Sequence, residues 1–107
     1  MDFSKFFVVF LRKGPTWTAE STPELDQLQA QHLAHLASLR EAGKLVLAGP
    51  VETHSDSNLR GISIFPLTQV GTLEELKQLV EDDPMFETGR LVAEYATWYV
   101  PAGSQMG

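Results

Sequence analysis

A run of six consecutive apolar residues, Phe6 to Leu11, most limits the fold that this sequence can adopt. The run is aromatic and β-branched and does not alternate with polar residues, which is typical of a β-strand covered on both faces. Gly14 and Pro15 end it, because glycine and proline interrupt strands. A chain of 107 residues has room for one domain, so this strand predicts a single sheet whose two faces both need cover.

The rest of the sequence predicts five further elements. Thr22 and Thr72 are placed to cap two helices, and Glu75 completes a capping box with Thr72. Gly43 suits the end of the first helix. The predicted elements are, in order, a helix over 23–42, strands over 44–50 and 61–65, a helix over 73–82 and a strand over 91–100.

This β-α-β-β-α-β order is that of the ferredoxin-like fold, an α+β architecture. It predicts a four-stranded antiparallel sheet with both helices on one face. The domain is expected to span residues 1–100, and residues 101–107 are expected to form a flexible C-terminal tail.

Composition excludes several classes of function. The chain has no cysteine, which excludes a disulfide framework, thiol catalysis and thiolate metal sites. A net charge of −6 and eight basic residues scattered along the sequence argue against nucleic acid as a partner. No apolar run approaches the ~20 residues of a membrane helix, and the first residues lack the pattern of a signal peptide. We therefore expect a cytoplasmic protein that binds no membrane.

The second face of the predicted sheet points to a partner. The last strand places Ala93, Tyr95, Thr97 and Tyr99 on one face and Val92, Ala96, Trp98 and Val100 on the other. Two helices cover one face only, and soluble monomers rarely expose a large apolar patch. The sequence therefore predicts a homodimer that packs sheet against sheet. The alternative is that the C-terminal tail or a long loop covers this face.

His32 is the most informative residue of the first predicted helix. At about 100° per residue, it points in the mean direction of four leucines that form the core-facing stripe. Those leucines are Leu25, Leu28, Leu36 and Leu39. An imidazole there needs a hydrogen-bond partner, because an unpaired buried polar group costs about 1–3 kcal/mol. Two interpretations stay open, a satisfied core histidine or a general acid/base.

Asp83 is the second candidate. It precedes Pro84, where its carboxylate can cap a short helical turn, and the same carboxylate could orient an imidazole and stabilise its charged form. His32 and His35 could place two metal ligands on one helical face, but no third ligand occurs at a telling spacing, and His54 lies in a polar loop. No metal or cofactor is therefore expected. Trp17 and Trp98 are expected to serve packing.

Several segments together resemble the YCII-related (YciI-like) family. The matching segments are His32–Leu36, Glu41–Pro50 with its Ala-Gly-Pro ending, Gly61, Asp82–Phe86 followed by Gly89, and Trp98. The resemblance spans about residues 5 to 100 and implies a ferredoxin-like subunit that pairs as a dimeric α+β barrel. It also implies an active-site dyad of a helix histidine and the aspartate of an Asp-Pro pair, which are His32 and Asp83 in this sequence.

Relatives in the wider dimeric α+β barrel group include muconolactone isomerases and cofactor-free monooxygenases. By analogy of fold, the resemblance implies a cofactor-independent lyase or isomerase acting on a small cyclic or aromatic metabolite. His32 and Asp83 would be catalytic, and the backbone at Gly49, Pro50 and Gly61 would bind substrate. The alternatives are a non-catalytic dimeric module that binds a small molecule, and a structural dimer with a merely satisfied His32.

Overall fold

The computed structural model describes residues 2–104 as an antiparallel sheet with helices on one face. The strands are β1 (Phe3–Lys13), β2 (Leu47–Pro50), β3 (Leu59–Pro66) and β4 (Leu91–Pro101), and the helices are α1 (Pro23–Glu41), α2 (Leu67–Val70), α3 (Leu73–Glu81) and α4 (Pro84–Glu87). The four strands lie in the order β2-β3-β1-β4. The predicted ferredoxin-like architecture is therefore confirmed. No helix within residues 2–104 is long and apolar enough to cross a bilayer.

The apolar run of the sequence lies in β1, one of the two inner strands. β1 pairs with β3 on one side and β4 on the other, so that Val9 lies opposite both Ser63 and Tyr95. Phe7, Val9 and Leu11 face the helices and belong to the buried core. The apolar run has no polar residues because its side chains point alternately into the core and to the opposite face of the sheet, and both sets are apolar.

Local signals set the helix starts as the sequence predicted. Thr22 Oγ1 accepts a hydrogen bond from the Leu25 N–H at 3.2 Å, and α1 begins at the next residue, Pro23. Thr72 and Glu75 form both hydrogen bonds of the capping box at the start of α3. Gly43, at φ 75°, follows the end of α1, in a conformation that glycine adopts without steric cost.

β2 and β3 begin at other residues than predicted. β2 begins at Leu47, not at residue 44, and Leu45, which precedes the strand, is buried in the core. β3 begins at Leu59, not at residue 61. The link 66–71, which the sequence left without structure, contains the single helical turn α2, whose Val70 side chain is buried. Burial of this apolar side chain explains a turn that has no side-chain cap.

The predicted tail begins inside an element. Pro101 is the last residue of β4 and pairs with Phe3, and the Ala102 N–H donates to the Asp2 carbonyl at 3.0 Å. Residues 105–107 of the predicted tail lie outside the described residues.

The sheet face opposite the helices is mostly apolar and also carries the ion pair of Arg12 and Glu94. Its side chains include Phe6, Val8, Phe10, Ile62, Ile64, Val92, Trp98 and Val100. Trp98 is 46% exposed, and Val92 and Leu47 are also exposed. The faces of β4 are those that the sequence predicted. We call this surface the open sheet face.

A close backbone contact joins the end of β1 to the turn before β4. The Gly14 N–H donates to the Arg90 carbonyl at 2.8 Å, and the Thr16 N–H donates to the Gly89 carbonyl at 3.0 Å. A Cβ atom at Gly14 would lie 2.2 Å from the Gly89 carbonyl oxygen. Only glycine fits at position 14. The contact of this backbone with residues 89 and 90 brings the Trp17 ring beside Arg90.

We expect Gly14→Ala to lower the free energy of unfolding by more than about 1 kcal/mol, because the added methyl group forces these backbones apart. Gly49→Ala is the matched control, since a Cβ atom there would meet no atom within 4 Å. Urea unfolding of both variants measures the difference. Equal stability of the two variants would contradict the close contact.

Candidate active site

A cavity of about 680 Å³ lies between α1 and the part of the sheet formed by β2 and β3. Its volume is in the range of small-molecule sites. Helix α1 has 19 residues, of which only His32 and Leu39 are buried. Side chains of α1 therefore do not fill the space between this helix and the sheet, and the cavity occupies it.

His32 and Asp83 form a buried hydrogen-bonded pair beside this cavity. His32 Nδ1 donates to Asp83 Oδ2, and the two residues are 9% and 2% exposed. The other carboxylate oxygen, Oδ1, accepts from the Met85 N–H at 2.9 Å. Asp83 thus caps α4 with one oxygen and holds the imidazole with the other.

The surroundings of Asp83 favour its ionised form. Burial by itself raises the pKa of the carboxyl group. The hydrogen bonds from His32 and from the Met85 N–H outweigh that effect, with the histidine charges adding to them, and the pKa of Asp83 lies below its ordinary value. Asp83 is therefore a carboxylate at neutral pH.

The carboxylate determines which imidazole nitrogen is free. An ionised carboxylate only accepts hydrogen bonds, so Nδ1 must carry the proton. In the neutral ring the lone pair is then on Nε2, for which residues 2–104 supply no hydrogen-bond partner. Because His32 lines the cavity, Nε2 is the nitrogen that can serve a ligand.

The other predicted site residues lie around the same cavity. Gly49, Pro50 and Gly61 all line it. A Cβ atom at Gly61 would lie 3.2 Å from the Gly49 carbonyl oxygen and 3.5 Å from Leu11 Cδ1. Glycine at this position keeps the cavity floor free of side-chain atoms.

Comparison with protein families settles the resemblance. Residues 6–99 match the model of the YCII-related domain. The chain belongs to the YCII-related family. Comparison with curated protein sequences gives no significant match.

Two solved structures resemble this YCII-related protein in fold. One is the 5-chloro-2-hydroxyhydroquinone dehydrochlorinase of Burkholderia phenoliruptrix, in complex with 2,5-dihydroxybenzoquinone, at 23% identity and a TM-score of 0.59; the match covers 87% of this chain and 92% of that one. The other is SnoaB of Streptomyces nogalater, a cofactor-independent oxygenase, at 10% identity and a TM-score of 0.49, covering 96% of each chain.

The remaining histidines of this YCII-related chain have other surroundings. His35 Nε2 donates to the Leu79 carbonyl at 2.7 Å, which joins α1 to α3. His54 is exposed in the loop between β2 and β3. Within residues 2–104, no three or more His, Cys, Asp or Glu side chains are grouped to hold a metal ion.

Sequence reasoning missed the basic side chains of the cavity. Arg40, Arg60 and Arg90 all line it. Trp17 packs against the core as expected and also lines the cavity. The arginines are far apart in the sequence and share no periodic pattern, so only the fold brings them together. One signal in the sequence could have pointed to Arg90. Gly89 belongs to the segments that resemble the family, and Arg90 directly follows it.

Asp83→Asn is expected to lower the free energy of unfolding at pH 7 by about 1–3 kcal/mol, because it removes a hydrogen bond to a charged group. The unfolded carboxyl group titrates near pH 3.9, about its reference value, and the folded one titrates lower. The stabilisation is therefore complete above about pH 5 and is lost as the pH falls through the folded pKa. In Asp83→Asn, the free energy of unfolding should therefore fall less as the pH is lowered.

Asp82→Asn controls for the change in net charge, because Asp82 is adjacent and exposed. Urea unfolding at a series of pH values from 7 to 2.5 provides the comparison. If acid lowered the free energy of unfolding as steeply in Asp83→Asn as in Asp82→Asn, the folded structure would not stabilise the Asp83 carboxylate.

Proposed function

We propose that this protein is a cofactor-independent lyase or isomerase that moves a proton on a small cyclic or aromatic metabolite, with His32 as general acid/base and Asp83 as its orienting carboxylate. The supporting observation is the buried His32–Asp83 pair at the wall of a ligand-sized cavity. Family membership and the fold shared with a dehydrochlorinase complexed to a hydroxylated quinone are consistent with this chemistry.

The proposed reaction uses one proton. His32 Nε2 takes a proton from a carbon next to a carbonyl group or from a ring hydroxyl, and the C–H or O–H electron pair stays on the substrate as an enolate or phenolate. The imidazolium that forms is stabilised by the Asp83 carboxylate. In an isomerisation the proton returns to another carbon of the same π-system. In an elimination the electron pair expels a leaving group instead.

A purely structural pair explains less of the geometry. Capping α4 needs one acceptor oxygen, which Asp83 Oδ1 provides through Met85. A serine, threonine or asparagine would serve there without the desolvation of a charge. The second oxygen, Oδ2, accepts from the Nδ1 of His32, whose Nε2 is free beside the cavity. This arrangement sets the tautomer that a general base needs.

We expect His32→Ala to lower turnover by about 10²–10⁴-fold, the usual contribution of a positioned acid/base group. His35→Ala is the control, because His35 lies on the same helix but bonds to the Leu79 carbonyl outside the cavity. Hydroxylated quinones and related ring compounds form the starting panel, with product detected by chromatography and binding by thermal shift.

The outcomes separate the catalytic proposal from its alternative. Turnover that survives in His32→Ala would refute the role of His32. Thermal shifts without product for every ring compound would favour a non-catalytic module that holds a small molecule in the same cavity.

We also propose that two copies of the chain pack through the open sheet face. The apolar side chains of this face lie opposite the helices, and Trp98, Val92 and Leu47 among them are exposed. A second sheet would remove this apolar surface from water, which is the main driving force of such association.

Trp98→Glu should convert the dimer to monomers, because it places a charge in the apolar interface. Tyr99→Glu is the matched control, since Tyr99 is the next residue of β4, points to the other face and is 55% exposed. Sedimentation equilibrium measures the mass in solution. A wild-type chain that sediments as a monomer, or a Trp98→Glu variant that stays dimeric, would rule out this interface.

A further inference from the structure

The cavity collects positive charge in an acidic protein. Four of the eight lysine and arginine residues of the chain lie at it or beside it, although the net charge is −6. They are Arg40, Arg60 and Arg90, which line the cavity, and Lys13, which contacts the ring of Trp17. Among residues 2–104, none of those that line the cavity is acidic.

These four cations have no acidic partners within residues 2–104. The ion pairs there join Arg12 to Asp56 and to Glu94, and His32 to Asp83. Arg12 is the one lysine or arginine within residues 2–104 that has a carboxylate partner. The charge at the cavity is not neutralised in this way.

An indole ring holds three of the cations together. Lys13 Nζ lies 4.2 Å from the centroid of the Trp17 ring, Arg60 Cζ lies 5.2 Å from it and Arg90 Cζ lies 5.7 Å from it. An aromatic face attracts a cation without cancelling its charge. Trp17 therefore positions these side chains and leaves their positive potential available to the cavity.

Arg90 lines the cavity and, among the described residues, has one guanidinium nitrogen without a partner. Its Nη1 is shielded from solvent and has no hydrogen-bond partner within residues 2–104. A buried donor of a charged group without a partner is costly, and such a group calls for an explanation. The planar guanidinium matches a carboxylate or a pair of adjacent oxygens in a two-pronged contact.

From these observations we infer that the cavity binds an anionic ring compound, one that carries a carboxylate or an ionised ring hydroxyl, with Arg90 as the anchor of the negative oxygen. Arg40 and Arg60 are exposed and attract the anion to the cavity. Leu11, Leu36 and Met85 provide apolar walls for the ring. This inference rests on the proposed function for the use of the site, since His32 Nε2 would then face the ring.

The inference is tested with matched probes that differ in charge. Benzoate is compared with benzamide, and 2,5-dihydroxybenzoquinone with its dimethyl ether, by calorimetric titration at pH 7. We expect each anion to bind about 10- to 100-fold more tightly than its neutral partner, from the usual strength of hydrogen bonds to charged groups. Raising the salt concentration should weaken the anions selectively, because salt screens exposed charges such as Arg40 and Arg60.

Arg90→Met should abolish most of the preference for anions. Arg90→Lys should keep part of it, since lysine retains the charge but cannot form the two parallel hydrogen bonds of a guanidinium. Lys5→Met is the control for net charge, because Lys5 is exposed near Tyr99 and does not line the cavity. Circular dichroism establishes that each variant is folded. Equal binding of anionic and neutral probes, no binding of any anion at millimolar concentration, or an undiminished preference in folded Arg90→Met would overturn the inference.

His32→Ala distinguishes this inference from the catalytic proposal. The anion preference should persist in His32→Ala, because Arg90 is intact. In the wild-type protein, a preference for anions without turnover of any ring compound would support the inference and refute the catalytic role. Turnover of neutral ring compounds by the wild-type protein without a preference for anions would support the catalytic role and overturn the inference.

Discussion

The hydrogen bond between His32 and Asp83 is the interaction on which the rest of this structure depends. It joins residues 51 positions apart and fastens α1 to α4. Helix α1 buries few side chains of its own, because the cavity separates part of it from β2 and β3. A polar bond therefore holds the helix where apolar packing is incomplete, and the bond is strong because the carboxylate is ionised and shielded from water.

Features that depend on neighbouring residues could be predicted from the sequence. The caps at Thr22, Thr72 and Asp83 are hydrogen bonds that span two or three residues, so residue spacing alone reveals them. The direction of His32 follows from helical periodicity in the same way. The element order predicted the sheet, because a ferredoxin-like chain has few alternative ways to pair four strands.

Features that depend on distant contacts could not be predicted. Residue spacing allowed contact between His32 and Asp83 but did not require it, and only the resemblance to the family implied the pair. Arg40, Arg60 and Arg90 look scattered in the sequence because they lie on α1, on β3 and in the turn before β4, which meet at the cavity only in the fold. Gly14 decides part of this, since its fit against the Gly89 backbone is invisible without the fold. The single turn α2 likewise follows from the burial of Val70, a property of the assembled core.

Groups of opposite charge have separate roles at this site. The buried Asp83 carboxylate holds Nδ1 of His32, which leaves the lone pair of the neutral ring on Nε2. Arg40, Arg60 and Arg90 line the cavity and have no carboxylate partner within residues 2–104. An anionic ring anchored by the arginines would lie in the cavity that His32 also lines. Positive charge would then recognise the ligand, and the carboxylate would fix the tautomer of the imidazole that acts on it.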